Sequence, residues 1–340
     1  MIKFNSIVLL SAVAVAFFSC SKKAEKIVPE GEKVVVSLNV TGDFDVDVTQ
    51  APLTRAGSTN DAYGINVFYD KEGDGTTNDY YAYGLFDNVA DMSITLLSNH
   101  KYRVVCSLIK DAKNTLYYGQ AFNNAFSGYC YPFQTNTSNS TLVGNQFIIG
   151  TGTYFSGLGI SNTHLATTTS PSTSNYSSYA PGVNRFYGET DQYEPVPNGT
   201  IDVYLKRAVF GAQFVVSGLQ EGTVNVTCGS FYNVTWTSNG SSNETIYSFP
   251  NVRSVWLNDL PQVASVNINY TSNRGSLWNL SASQSVQFKR NVMTKVNINL
   301  NPDLSGATFQ VTEEEMGDEN DINLGINTDG LIDIIVNPNN

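Results

Sequence analysis

The stretch VVVSLNVTGDFDVDV, residues 34–48, sets apolar residues at every second position on either side of one break. Val34, Val36, Leu38 and Val40 fall on one side, with Val35, Ser37 and Asn39 on the other. Thr41-Gly42-Asp43 interrupts the run, and Phe44, Val46 and Val48 resume it. A period of two sends successive side chains to opposite faces, which is the pattern of a strand with one buried face. The same pattern returns along the chain: Ile65, Val67 and Tyr69; Tyr102, Val104, Cys106 and Leu108; Ile201, Val203 and Leu205. Val263, Val266 and Ile268 repeat it with a slip, and Val292, Val296, Ile298 and Leu300 repeat it again. Gly, Asn, Asp and Pro separate these runs, the strand-and-turn signature of a sandwich or barrel. No segment beyond residue 20 carries a convincing helical repeat, so the expectation is an all-β protein.

The N-terminus reads differently. Lys3 precedes an apolar run from Ile7 to Phe18. A core of about a dozen residues has the dimensions of a secretory signal peptide and is short of the ~20 needed to span a membrane. The run ends at Ser19-Cys20 and turns polar at Ser21-Lys22-Lys23, which resembles a bacterial lipobox. That resemblance implies cleavage before Cys20 and acylation of its thiol and amine. Several acyl chains hold a protein on a membrane without a spanning helix.

Past that leader, about 320 residues are long enough for two domains with their own cores. YEPVPNGT, residues 193–200, punctuates the chain with two prolines and Asn-Gly, and places a boundary there. Residues 115–190 are rich in Tyr, Phe, Asn, Ser, Thr and Gly and read as long loops on the first domain. Charged residues make up only 14% and the net charge is −11, which argues against nucleic-acid binding. With Cys20 lipidated, Cys106, Cys130 and Cys228 allow at most one bridge, and the spacing does not choose it. Cys106, inside YRVVCSLIK, reads as a buried reduced thiol.

Enzymatic and metal chemistry find little footing, so no cofactor, metal or catalytic residue is expected. His100 and His164 have no ligand-like spacing to Cys or carboxylates, and His100 in SNHK reads as a solvated turn residue. GTGTYFSGLG, residues 150–159, lacks the lysine of a phosphate loop. Asp70, Glu72, Asp74 and Gly75 begin like a calcium loop, but Tyr81 stands where the bidentate Glu belongs. Glu313-Glu314-Glu315 with Asp318, Glu319 and Asp321 reads as a solvated acidic run.

A lipobox, an apolar strand and then Leu53-Thr54-Arg55-Ala56 in APLTRAGSTND, residues 51–61, together resemble the fimbrillins, subunits of type V pili of Gram-negative gut and oral anaerobes. SITLLSNHKYRVVCSLIK is similar to paired strands of that family's first domain. IDVYLKRAVFGAQFVV and VQFKRNVMTKVNINLN are similar to segments of its second. The resemblance implies two tandem β-sandwich domains of transthyretin-like, Greek-key type. Its divisions on this chain are a signal peptide at 1–19, a lipidated propeptide at 20–55, and domains at 56–195 and 196–340. It also implies a route: an outer-membrane lipoprotein is cut between Arg55 and Ala56 by an arginine-specific protease. The leading strand then departs, and a strand from another subunit of a homo- or hetero-polymer fills the groove. The implied locations are the outer membrane before the cut and an extracellular fimbrium after it, with a host or bacterial surface ligand as a further partner.

The residues permit such an exchange. Seven inward side chains, Val34, Val36, Leu38, Val40, Phe44, Val46 and Val48, contribute about 1.5–3 kcal/mol each. Ordering about 15 backbones costs a comparable total at about 1–2 kcal/mol each. A candidate donor strand lies within residues 321–337, where Ile322, Leu324 and Ile326 alternate and Ile332, Ile334 and Val336 alternate again. The intervening Asn327-Thr328-Asp329-Gly330 equally suits a tight turn, so the same residues read as an internal hairpin. In that case the subunit is a tip that accepts a strand and donates none. The rival reading is a lipid-anchored glycan binder. Its sugar platform would be Tyr117, Tyr118, Tyr129, Tyr131, Tyr154, Tyr176 and Tyr179, which otherwise pack as core or loop cover.

Overall fold

The computed structural model describes residues 31–43, 60–116, 132–136, 144–161, 163–164, 176–275, 279–301, 306–316 and 332–336. In chain order the first strands are β1 (Lys33–Gly42), β2 (Ala62–Tyr69), β3 (Asp79–Phe86), β4 (Ser93–Leu97) and β5 (Tyr102–Ile109). The short helix α1 (Ala112–Thr115) precedes β6 (Gln146–Ile149), β7 (Thr163–His164), β8 (Tyr176–Ser177), β9 (Arg185–Tyr193) and β10 (Thr200–Arg207). Then come β11 (Val209–Ser217), β12 (Thr223–Cys228), β13 (Tyr232–Trp236), β14 (Gly240–Ser241), β15 (Thr245–Ser248) and α2 (Val252–Asn258). The last are β16 (Gln262–Thr271), β17 (Leu280–Phe288), β18 (Val292–Leu300), β19 (Ala307–Glu315) and β20 (Ile332–Val336). The fold is all-β, as its alternation dictates. Among the described residues no helix is long and apolar enough to cross a membrane.

The first unit is one path of strands, β4-β1-β10-β9-β5-β2-β3-β6, folded over at β10. That strand pairs with β1 through Thr200–Leu205 and with β9 through Lys206 and Arg207, so it turns the corner between two layers. Two glycines allow the close approach there. A Cβ on Gly42 would lie 2.1 Å from the Leu205 carbonyl oxygen, and one on Gly188 would lie 2.2 Å from that of Tyr204. Inward residues of β1, β4 and β10 meet those of β2, β3 and β5 in one core that includes Val36, Leu38, Ile94, Ile65, Val104, Cys106 and Val203.

The outer face of the larger layer is covered too. Phe133, Phe155 and Leu158 from the loop region pack on Tyr83, Val105, Ile109 and Tyr187. Arg185 fastens that cover. Its guanidinium donates to the carbonyls of Gly157, Leu158 and Ile160, and its Nε to Ser107 Oγ. The residue is fully buried, no carboxylate among the described residues pairs with it, and burial pulls its pKa down to about 9.

The second unit stacks β14-β11-β18-β19-β20, with β15 on β11, against β13-β12-β16-β17. Phe210, Phe214, Val226, Ile268, Phe288, Val296 and Ile298 lie in its core. The chain passes from one unit to the other between Arg207 and Val209, later than the punctuation at 193–200 suggests, because β10 still pairs with β1 and β9. Helix α2 packs the units together: Val252 enters the cover of the first unit and Arg253 bonds Glu189. Asn251 caps it by accepting from the Ser254 amide, 2.9 Å.

His100 departs from the expected solvated turn. It is buried, its Nδ1 lies 2.8 Å from the Asp70 carbonyl oxygen, and its ring packs edge-on against Tyr69. The Asp70 carboxylate accepts from the Gly75 amide, and Asp74 accepts from Thr76, so these acids brace a hairpin loop. No group of three His, Cys, Asp or Glu among the described residues is placed to hold a metal ion. Cys106 and Cys228 are buried and free, one in each core, while Cys130 lies outside the described residues.

Candidate functional site: the leading strand and its cradle

Strand β1 lies between two neighbours. It pairs antiparallel with β4, Val36 opposite Ile94, and parallel with β10, Leu38 beside Ile201 and Val40 beside Val203. Burial alternates along it, with Val34, Val36, Leu38 and Val40 exposed by only 7%, 1%, 6% and 5%, while Val35 is 57% exposed. Val34, Val36, Leu38 and Val40 lie in the core of the first unit. On the outer face Asn39 donates to Asp202 across the pair, 2.7 Å.

Taking β1 away would part β4 from β10. Strands sit ~4.8 Å apart in a sheet, so the gap would be about 10 Å, the width of one strand. It would be flanked by Met92, Ile94, Leu96, Ile201, Val203 and Leu205, all buried in the intact chain. Among the described strands β4 pairs only with β1 and would lose its whole ladder.

The end of the strand is held by charge. Asp43 gives its amide to the Leu205 carbonyl, 2.9 Å. Its carboxylate accepts from Arg290 Nη1 at 2.8 Å, from the Arg207 amide at 2.9 Å and from the Tyr204 hydroxyl at 2.9 Å. Arg290 stands in the turn between β17 and β18 of the second unit, and its Nε donates to Asp259 at 2.7 Å. Burial raises the pKa of Asp259, but the hydrogen bond and charge of Arg290, with Lys206, more than offset that and hold it below the ordinary value. Sequence reasoning missed this cluster, since its members are separated by most of the chain and share no local pattern.

Nearby, Glu189 knits the two units. Arg103, Arg253 and the Tyr187 hydroxyl all donate to it. Burial is the largest single effect and pushes its carboxyl up. Hydrogen bonds from Arg253 and Tyr187, with the charges of Arg253 and Arg103, together hold it lower than usual.

Cys20, Phe44, Val46, Val48, Arg55, Ala56, Ile322, Leu324 and Ile326 lie outside the described residues. Ile332, Ile334 and Val336 belong to β20, which pairs antiparallel with β19 of the same chain: Ile332 with Val311, Ile334 with Phe309, Val336 with Ala307. It is the outermost strand of its sheet. Of the tyrosines in the expected sugar platform, Tyr154 lies flat on Tyr80 at 3.9 Å between ring centres, and Tyr179 packs against Phe210 and Phe231.

No family model matches the sequence, and no curated protein matches it. Solved structures to which the chain is similar include the fimbrial anchor protein from Porphyromonas gingivalis, at 8% identity over 83% of this chain and 98% of that one, TM-score 0.36. A fimbrial assembly protein from Parabacteroides distasonis aligns at 12% identity over 82% and 94%, TM-score 0.31. The C-terminally truncated tip fimbrial protein from Porphyromonas gingivalis aligns at 8% identity over 84% and 100%, TM-score 0.27.

Proposed function

We propose that the chain is a structural subunit, stalk or tip, of a type V fimbria that supports cell adhesion. It is exported to the outer membrane as a lipoprotein on Cys20, cut after Arg55 and joined to its neighbours by strand exchange. One observation carries this reading. Strand β1 completes the first core from between β4 and β10, and residues 43–61, which contain Arg55, connect it to the next described strand, β2. A single cut there turns an integral strand into a separable ligand, and alternating pockets would read the strand that replaces it. The partners are other subunits of the same kind, an arginine-specific protease and, at the tip of the fibre, a host or bacterial surface ligand.

The test uses the Cys20→Ser chain and an arginine-specific protease, with Arg55→Ala as control. Mass spectrometry should give one preferred cut after Arg55, and unheated denaturing gels a ladder of resistant oligomers; both should vanish in the control. A cut without a ladder assigns the subunit to the tip. No preferred cut overturns the mechanism and leaves a lipid-anchored glycan binder as the better reading.

A further inference from the structure

Given that exchange, the cradle has a feature that selects its occupant. The contacts around Asp43 make a socket of three donors at one end of the groove: Arg290 Nη1, the Arg207 amide and the Tyr204 hydroxyl. When residues 20–55 leave, the carboxylate leaves with them. Arg290 keeps Asp259, but the three donors lose one acceptor together, in a site where Arg290 is only 24% exposed. Charge-assisted donors aimed at one point favour a carboxylate over any neutral group.

We infer that this socket sets the register of the incoming strand by binding an acidic side chain three residues past the last inward apolar position, and that Asp329 of a second copy of this chain supplies it. The argument is a match at a single register with no gap. Ile322, Leu324 and Ile326 fall on Val36, Leu38 and Val40; Asp329 falls on Asp43; Ile332, Asp333 and Ile334 fall on Val46, Asp47 and Val48. Sliding the segment by two residues keeps its apolar side chains inward but takes the carboxylate off Arg290. The socket therefore discriminates registers that the apolar pockets alone do not. The match is looser at two places. Gly330 falls on Phe44 and brings no side chain to that expected inward position. Thr328 falls on Gly42, where a Cβ meets the Leu205 carbonyl, so the incoming strand must sit back from β10 there. It should bind less tightly than the leading strand itself. Donation also takes Ile332–Val336 off β19, at the cost of one outer ladder.

This inference rests on the fimbrial reading, and the experiment separates the two. The Cys20→Ser chain, cut after Arg55, is titrated with fluorescent peptides of residues 34–48, of residues 322–334, and of residues 322–334 with Asp329→Asn. The expected result is that Asp329→Asn weakens binding roughly ten- to hundredfold, the loss of a charged hydrogen-bond cluster. On an Arg290→Gln acceptor the two C-terminal peptides should bind within about twofold of one another. Tyr204→Phe, at an exposed position, should reduce the discrimination by a smaller factor without disturbing the fold. Equal binding of the Asp and Asn peptides to the unaltered acceptor overturns the socket. Binding of 34–48 but not 322–334 also overturns it, while the groove stands with another donor. If neither peptide binds, the groove does not open and the fimbrial reading falls too.

Discussion

Leu38→Ala in the Cys20→Ser chain should weaken the first unit by an amount the structure lets one work out. Leu38 is 6% exposed, its amide donates to the Met92 carbonyl at 2.8 Å, and its side chain lies in the core beside Ile201. The substitution deletes three carbons, about 2.4 kcal/mol at about 0.8 kcal/mol per buried group. The cavity left in a two-layered core brings the total to about 3–4 kcal/mol. In urea, with a slope of about 2 kcal/mol per molar for a unit of this size, the first transition should move down by about 1.5–2 M. Val35→Ala, one position along and facing solvent, should move it by less than about 0.3 M. After proteolysis and strand exchange the Leu38 difference should disappear, because the residue is no longer part of the folded unit. A shift as small as that of Val35→Ala would refute the claim that β1 is integral to the core. A Leu38 effect that persists unchanged in the polymer would show that the strand never leaves.

Other outcomes follow from the same geometry. Arg185→Met should cost about 2–4 kcal/mol, since it strands the carbonyls of Gly157, Leu158 and Ile160. Arg185→Lys should recover little of this, because one ammonium does not span the fork, and thermal denaturation reads both. Glu189 has a folded-state pKa below its ordinary value. The stability it lends is therefore full above the unfolded-state pKa of about 4.3 and is lost as pH falls through the lower folded value. Glu189→Gln should flatten that acid limb of a melting-temperature profile. Burial pushes both thiols up, that of Cys228 to about 12. Neither Cys106 nor Cys228 should react with an aromatic disulfide until the chain unfolds.

The parts of the fold legible in the sequence are those governed by local alternation. Val34 to Val40, Tyr102 to Leu108 and Ile201 to Leu205 fall on the faces their spacing predicts. Strand β9 was harder to see, because RFYGETDQY hides a buried cation among polar residues, and Arg185 is satisfied by carbonyls that only the tertiary fold brings to it. Helix α2, seven residues long, is too short to show a period, although Asn251 before it is a capping residue. His100 misled because a polar residue in a turn is usually wet, whereas this one is buried against Tyr69 and Asp70. Of the site, the strand's inward face was readable and its charged end was not: Asp43 meets Arg290 only when the second unit docks on the first.

The central claim is that cutting after Arg55 lets β1 leave and opens the gap between β4 and β10. Hydrogen exchange read by mass spectrometry on the Cys20→Ser chain measures this directly, before the cut, after it, and in the assembled polymer. The account predicts that amides in Ser93–Leu97 and Thr200–Leu205, the strands that flank β1, exchange slowly in the intact chain. They should lose protection when the fragment is released and regain it in the polymer, while β16 and β17 of the second unit stay unchanged. Slow exchange at those two strands throughout, with residues 20–55 still bound after the cut, would contradict it.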